Sequence, residues 1–223
     1  MELDGSFYET EAASQNWILV MDLKSTYNKI AKDWREDHLG DTWWIEGTDK
    51  YLSFFKQGAS ILDVGCGWGE KSKYMVKKGF DITGIDFSEE MIKLAKEQAP
   101  AGKFFVKDIR QPLELETLFD GVFAQAVLLH IPKNEIVGVL KNITAPLKSK
   151  GYFYAAVKEM RQGGKDEEIV KESDYGYDYK RFFSYFMLDE LKKYIQEIRL
   201  KVVYENITSD GKTNWIQIVG EKS

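Results

Sequence analysis

Residues 61–72 read ILDVGCGWGEKS, a largely apolar run over 61–64 that passes into glycines at positions 65, 67 and 69. A short apolar run bounded by a glycine-rich turn reads as a buried strand entering a helix. In open parallel sheets such a turn lies beyond the C-terminal strand ends, where ligands bind. Glycine lets the backbone approach a ligand closely. The spacing here is G-x-G-x-G. The dinucleotide fingerprint is G-x-G-x-x-G, whose last glycine permits a helix to pack near a pyrophosphate. Its sixth position is occupied here by Glu70, and Asp63 precedes the loop. Two carboxylates match a cationic ligand better than a phosphate.

Outward from this turn the pattern alternates. A helix over about 69–78 is stopped by Gly79. DITGID (81–86) is a second strand, and Ser88 caps a helix whose Met91, Leu94, Ala95 and Gln98 share a face. KFFVKD (103–108) and FDGVFAQAV (119–127) are further strands, followed by a helix over about 132–147 and the strand GYFYAAVKE (151–159). Repeated strand–helix units imply a parallel sheet with helices on both faces. After a helix near 188–198, two β-rich stretches, 201–207 and 213–220, flank the hairpin turn Ser209-Asp210-Gly211-Lys212. The expected fold class is α/β, a Rossmann-like seven-stranded, mostly parallel sheet with a C-terminal antiparallel hairpin. Upstream, Tyr27, Ile30, Ala31 and Trp34 have the spacing of an amphipathic helix, and a second helix is expected over about 48–55. The expected organisation is an N-terminal arm over 1–24 and one domain over 25–223, with a helical cover at its start and an insertion at 161–186.

A chain of 223 residues, 43% hydrophobic, suits one domain with a sizeable core. The net charge of −5 gives no electrostatic footprint for nucleic acid or an anionic membrane. Cys66 is the only cysteine, which fits a reducing compartment. No apolar run reaches transmembrane length, and no basic-then-apolar leader opens the chain. The expected location is the cytoplasm, without nucleic-acid or membrane partners.

Asp86 closes the second strand at about the interval that places an acid on ribose hydroxyls. Asp108 closes the third, where a carboxylate can accept from an adenine amino group. The set describes an adenosine-containing ligand with an amino-acid tail and no phosphates. ILDVGCGWGE, GIDFSEEM, KDI and FDGVFAQAVLLHIP, in this order, resemble the successive motifs of class I S-adenosylmethionine-dependent methyltransferases. The resemblance covers about residues 25–220. It implies that Asp63, Gly65, Cys66, Gly67, Trp68 and Gly69 face the methionine part of the cofactor. It places Asp86 on the ribose, with Phe87 among the cofactor contacts, and Asp108 with Ile109 on the adenine. Gln125 and Ala126 would line the site after strand four.

Amino-directed nucleic-acid methyltransferases commonly carry an Asn/Asp-Pro-Pro-aromatic loop after strand four, where this chain has Gln125-Ala126-Val127. The carboxylate cluster of metal-dependent catechol-type enzymes is missing there, and the two histidines and the cysteine lack metal-ligand spacing. No metal is expected. Arsenite methylation relies on several thiols, and Cys66 reads instead as a small residue packed in the turn. The chain most resembles the small-molecule branch, the type 11 and type 25 domains. YNKIAKDW matches the N-terminal helix that covers the cofactor there, making Tyr27 a cofactor candidate and Trp34 a substrate candidate. Packing on the sheet is the other reading of both. His130, in LLHIP, is the catalytic candidate: it takes a proton from an acceptor hydroxyl or thiol, orients the acceptor, or is structural. His38, in a charged stretch, is expected in solvent. RQGGKDEE (161–168) is expected to be mobile, and YGYDYKRFFSYF (175–186) resembles the substrate-covering segment of the branch. Its substrate-binding candidates are Tyr179, Arg181 and Tyr185, against a reading as hydrophobic packing. The expected function is metal-independent, in-line methyl transfer from S-adenosylmethionine to a small molecule. A binding protein without transfer activity, a tRNA-modifying methyltransferase and a nicotinamide-dependent oxidoreductase are the alternatives.

Overall fold

The computed structural model describes residues 23–223. The chain opens with α1 (23–37), α2 (Ile45–Leu52), β1 (Ser60–Val64), α3 (Glu70–Lys77), β2 (Asp81–Asp86) and α4 (Glu89–Gln98). It continues through β3 (Lys103–Val106), β4 (Phe119–Gln125), a short 3-10 turn at Leu128–His130, α5 (Ile136–Thr144) and β5 (Leu147–Lys158). It ends with β6 (Glu167–Glu172), β7 (Tyr179–Ser184), α6 (Leu188–Glu197), β8 (Leu200–Ser209) and β9 (Asn214–Lys222). Of the expected arm over 1–24, residues 1–22 lie outside the described residues, and residues 23 and 24 already belong to α1.

The main sheet has the order β3-β2-β1-β4-β5-β9-β8. β1 to β5 are parallel, and β9 and β8 add antiparallel strands. Both faces are covered, which is why the central strands are almost continuously apolar. Alternation along β4 assigns the faces: Val122 and Ala124 join Leu140, Ile143, Leu191 and Ile195 beneath α5 and α6, whereas Phe123 joins Tyr51, Met75 and Tyr154 beneath α2 and α3. β1 lies between β2 and β4, so the chain leaves it in opposite directions. That reversal opens a crevice beyond the C-terminal ends of β1 and β4.

Several boundaries depart from the sequence reading for local reasons. α2 begins three residues early, at Ile45, because Thr48 does not cap it. Its hydroxyl donates back to the Trp44 carbonyl at 2.8 Å, inside the helix. β3 stops at Val106, where Asp108 turns the chain by accepting from the Arg110 amide at 3.0 Å. α5 is shorter than expected: residues 132–135 form a turn, with the Glu135 amide bonded to the Pro132 carbonyl, and Pro146 follows its last turn. The larger surprise is at 161–186. Within this insertion, for which no strand was expected, lies an antiparallel pair, β6–β7, with Ile169 opposite Phe182 and Val170 opposite Arg181.

Candidate active site

The three loop glycines all have positive φ, 64°, 53° and 84°, but they do different work. A side chain at Gly65 would meet Val127 Cγ2 at 2.5 Å, so this glycine lets the segment after β4 close against the loop. A side chain at Gly69 would meet the Ala95 backbone at 2.8 Å, so this one seats α3 against α4. Only at Gly67 is there open space, and it opens on a cavity of about 740 Å³ at the crevice. That volume lies in the range of small-molecule sites. Cys66 and Trp68 border the same cavity while their bulk is buried, Cys66 against Ile92 and Phe104, Trp68 against Ala31 and Met91. Burial pushes the Cys66 thiol well above its ordinary value, so it is a packing group rather than a nucleophile.

Asp86 projects from the end of β2 into this cavity. Its carboxylate accepts from the Gly67 amide at 3.0 Å and the Ser88 amide at 2.9 Å, tying the loop to the first turn of α4. Burial raises it to about 6 against the pull of these amides. Asp63 is elsewhere. It is 2% exposed, lies behind the loop, and accepts from the Ser72 hydroxyl at 2.5 Å; burial raises it to about 7. The loop carboxylate that borders the cavity is Glu70. Neither Asp63 nor Gly69 reaches the cavity wall, in contrast to the expectation for both. Asp108, Ile109 and Phe87 do line it, with Asp108 also held by the guanidinium of Arg110.

β4 delivers Gln125 and Ala126. The Gln125 side chain is 4% exposed, and neither amide atom has a hydrogen-bond partner among the described residues. Ala126 has φ 57°, a left-handed conformation that alanine rarely adopts. Beyond it, the His130 ring is enclosed. Its Nδ1 lies 2.7 Å from the Phe182 carbonyl, and its Nε2 lies 2.7 Å from the Tyr27 hydroxyl. A carbonyl only accepts, so Nδ1 carries the proton and the Tyr27 hydroxyl donates to Nε2. Burial, reinforced by the positive charges of Arg181 and Lys158, lowers His130 to about 3. The ring is therefore neutral across the physiological range, and its basic nitrogen is taken by Tyr27. Burial likewise raises the Tyr27 hydroxyl above its ordinary value.

Trp34 and Arg181 also border the cavity, with the guanidinium 4.6 Å from the Trp34 ring centre and ion-paired with Glu172. Tyr179 and Tyr185 do not. Tyr179 stacks on Tyr175 at 5.6 Å and donates to Asp174, and Tyr185 donates to Glu168. Residues 179, 181, 183 and 185 alternate onto one face, but only the middle pair, Arg181 and Phe183, lies against the cavity; the tyrosines at either end fall beyond it. His38, expected in solvent, is 29% exposed; it stacks on Trp34 at 3.9 Å and lines the cavity. The residues that sequence reasoning missed are Lys158, Phe183, Trp43 and Trp215. Lys158 ends β5, the one strand end whose side chain was not considered.

Seven strands in this order, with an antiparallel terminal pair and a glycine loop after the first strand, form the Rossmann-like fold of class I methyltransferases. Residues 61–151 match the family described as "Methyltransferase domain". Among curated relatives, YqeM of Bacillus subtilis, named as a methyltransferase, is 32% identical over 118 residues, 50% of this chain and 45% of its own. The ubiquinone biosynthesis O-methyltransferase of Coxiella burnetii is 32% identical over 102 residues, 44% of this chain and 43% of its own. The chain thus spans about half the length of the curated relatives it matches. Among solved structures, the Burkholderia thailandensis 1,6-didemethyltoxoflavin-N1-methyltransferase, with its substrate and S-adenosylhomocysteine bound, superposes with a TM-score of 0.75. It covers 93% of this chain and 90% of that one at 19% identity, a likeness of fold.

Proposed function

We propose that this chain binds S-adenosylmethionine and transfers its methyl group to a small-molecule acceptor without a metal. The carrying observation is one cavity that joins the open side of Gly67 to the Asp86 carboxylate at the strand-order reversal. The donor set fits the cofactor. Asp86 offers its carboxylate to the ribose hydroxyls, Asp108 and Ile109 flank the adenine, and Gly67, Trp68 and Glu70 border the cationic methionine end. When bound, S-adenosylmethionine supplies a methyl group already activated by a sulfonium. The protein's own part is alignment and exclusion of water. Trp34, Tyr27 and Phe87 supply apolar walls near the α1 side, while Ala126 and Leu129 wall the end of β4. His130 is an orienting group in this reading, because it holds the Tyr27 hydroxyl in place and presents no free basic nitrogen. Among the described residues no group of three or more His, Cys, Asp or Glu side chains stands together as a metal site, which supports the metal-independent reading. No helix among them is long and apolar enough to cross a membrane. The single thiol and the small-molecule reading support a cytoplasmic place of action without nucleic-acid partners.

Calorimetry with S-adenosylhomocysteine tests the cofactor, and transfer of labelled methyl into a metabolite mixture tests the reaction. Asp86→Ala should weaken binding by about 1.5–3 kcal/mol, the scale of lost charge-assisted hydrogen bonds. A wild-type protein that does not bind the cofactor would sink the proposal, as would labelled methyl that never leaves it.

A further inference from the structure

Beyond the cofactor end, the cavity is bounded by the ends of β5 and β9 and by β7, and its chemistry there is specific. Lys158 and Trp215 are register partners across β5 and β9, so their side chains leave the same face of the sheet side by side. Trp215 stacks on Trp43, with ring centres 4.2 Å apart and planes at 17°. The Lys158 ammonium sits 4.2 Å from the centre of the Phe183 ring. These rings leave a lining that is flat-walled, aromatic and positively charged.

Arg181, Glu172, Asp210 and Arg161, the charged groups that act most strongly on Lys158, have partners of their own. Glu172 is taken by Arg181, whose Nε donates to it at 2.5 Å. Asp210 accepts from the Trp215 indole at 2.9 Å and from the Lys212 and Thr213 amides at 2.8 and 2.7 Å. Arg161 donates to the Lys212 carbonyl. Among the described residues the Lys158 ammonium has no hydrogen bond and no carboxylate within 4.0 Å. Its cation–π contact with Phe183 is a partial substitute for the hydration it has lost. Desolvation and the neighbouring Arg181 lower its pKa to about 8. Gln125 is a second, independent sign. Its register partner on β5 is Ala156, two residues before Lys158 on the same face, and both atoms of its buried amide lack partners. An unpaired cation and an unpaired amide facing one aromatic-walled cavity describe a polar planar ligand that is not protein.

We propose that the acceptor is an aromatic or conjugated molecule carrying an anionic oxygen, a ring carboxylate or a phenolate, seated beside Phe183 and Trp215 with that oxygen on Lys158. This rests on the methyltransferase reading for the word acceptor, but the binding site itself does not. Arg181, already neutralised by Glu172, is a wall of this site, and Lys158 is its specificity determinant.

The test is titration of the full chain, saturated with S-adenosylhomocysteine, followed by tryptophan fluorescence. Two probe pairs separate the sources of the anion: 2-naphthoate against 2-naphthamide, and 4-nitrophenolate against 4-nitroanisole. At least one anion should bind about tenfold tighter than its neutral counterpart. Which pair discriminates tells carboxylate from phenolate. Lys158→Met keeps an apolar stem over Phe183 and should cut the preference to about threefold or less, with homocysteine-product affinity unchanged as the folding control. Neutral probes binding as well as anions in both pairs, a preference that survives Lys158→Met, or no binding of either anion would overturn the proposal. Loss of S-adenosylhomocysteine binding by the wild-type protein would strike the methyltransferase reading instead, and the probe titrations would then be read on the ligand-free chain.

Discussion

Gly67 and Gly69 stand two positions apart, and only Gly67 opens on the cavity. Gly67→Ala meets no atom within 4 Å, so its cost is the left-handed backbone alone, about 1–2 kcal/mol. It should keep a cooperative melt while losing most cofactor affinity in calorimetry. Gly69→Val drives a side chain into the Ala95 backbone and should lower Tm more than Gly67→Ala does. The reverse ranking would move the cofactor cradle elsewhere on the loop. The glycine pattern made the loop legible, but the separate tasks depend on what lies opposite each Cα, which only the fold supplies. Asp63 teaches the same lesson. Its place in the motif suggested a ligand contact, yet it is a buried acid raised from 3.8 to about 7. A folded state that holds this proton more tightly than the unfolded chain loses that stabilisation as pH rises across the same window. Asp63→Asn carries no such titration, so its Tm relative to wild type should climb between about pH 4 and pH 7. A difference that stays flat would mean Asp63 is ionised throughout. His130 runs the other way: lowered from 6.5 to about 3, it contributes stability above 6.5 that is lost as pH falls toward 3.

At the scale of elements, the β6–β7 pair was invisible in the sequence. β6 reads EEIVKE, with Ile169 and Val170 its only apolar residues, and Ile169 is 50% exposed. A strand with so little to bury gives no periodic signal; its order comes from its partner and from α1. Four contacts clamp the hairpin to that helix: the Thr26 hydroxyl to the Lys180 carbonyl at 3.1 Å, Lys29 to the Asp178 carbonyl at 3.2 Å, Tyr177 to Asp33 at 2.5 Å, and Tyr175 to Asp37 at 3.4 Å. α1 was legible because Ile30, Ala31 and Trp34 repeat at helical spacing. Its grip on residues 150 positions away was not. These contacts are polar and mostly near the surface, so the two elements should open together and at low cost. Tyr177→Phe with Thr26→Ala should speed amide exchange in residues 23–37 and 167–184 together and leave 61–64 unchanged. Exchange confined to the hairpin would show that α1 is held by the sheet alone.

At the scale of the molecule, the doubly wound order and the terminal antiparallel pair were legible because the central strands are apolar and most turns carry glycine, proline or a cap. The half of the cavity proposed for the cofactor drew its candidate residues from the same signals, since they sit at strand ends. The other half draws on β5, β7, β9 and the segment before α2, whose meeting no local pattern announces. Tyr27, His130 and the Phe182 carbonyl join these halves in one hydrogen-bonded line that runs from α1 through the end of β4 to β7. That line crosses the boundary between the proposed cofactor and acceptor ends. Both ligands would then share a single exit, and a spent cofactor could depart only when the same latch that frees the methylated product lifts. Under the proposed activity, traffic through that exit would set the pace. Turnover should fall in proportion to solvent viscosity when sucrose is added, and Tyr27→Phe, which unlatches the line, should make it indifferent to viscosity. Wild-type turnover that ignores viscosity would place the slow step in methyl transfer itself.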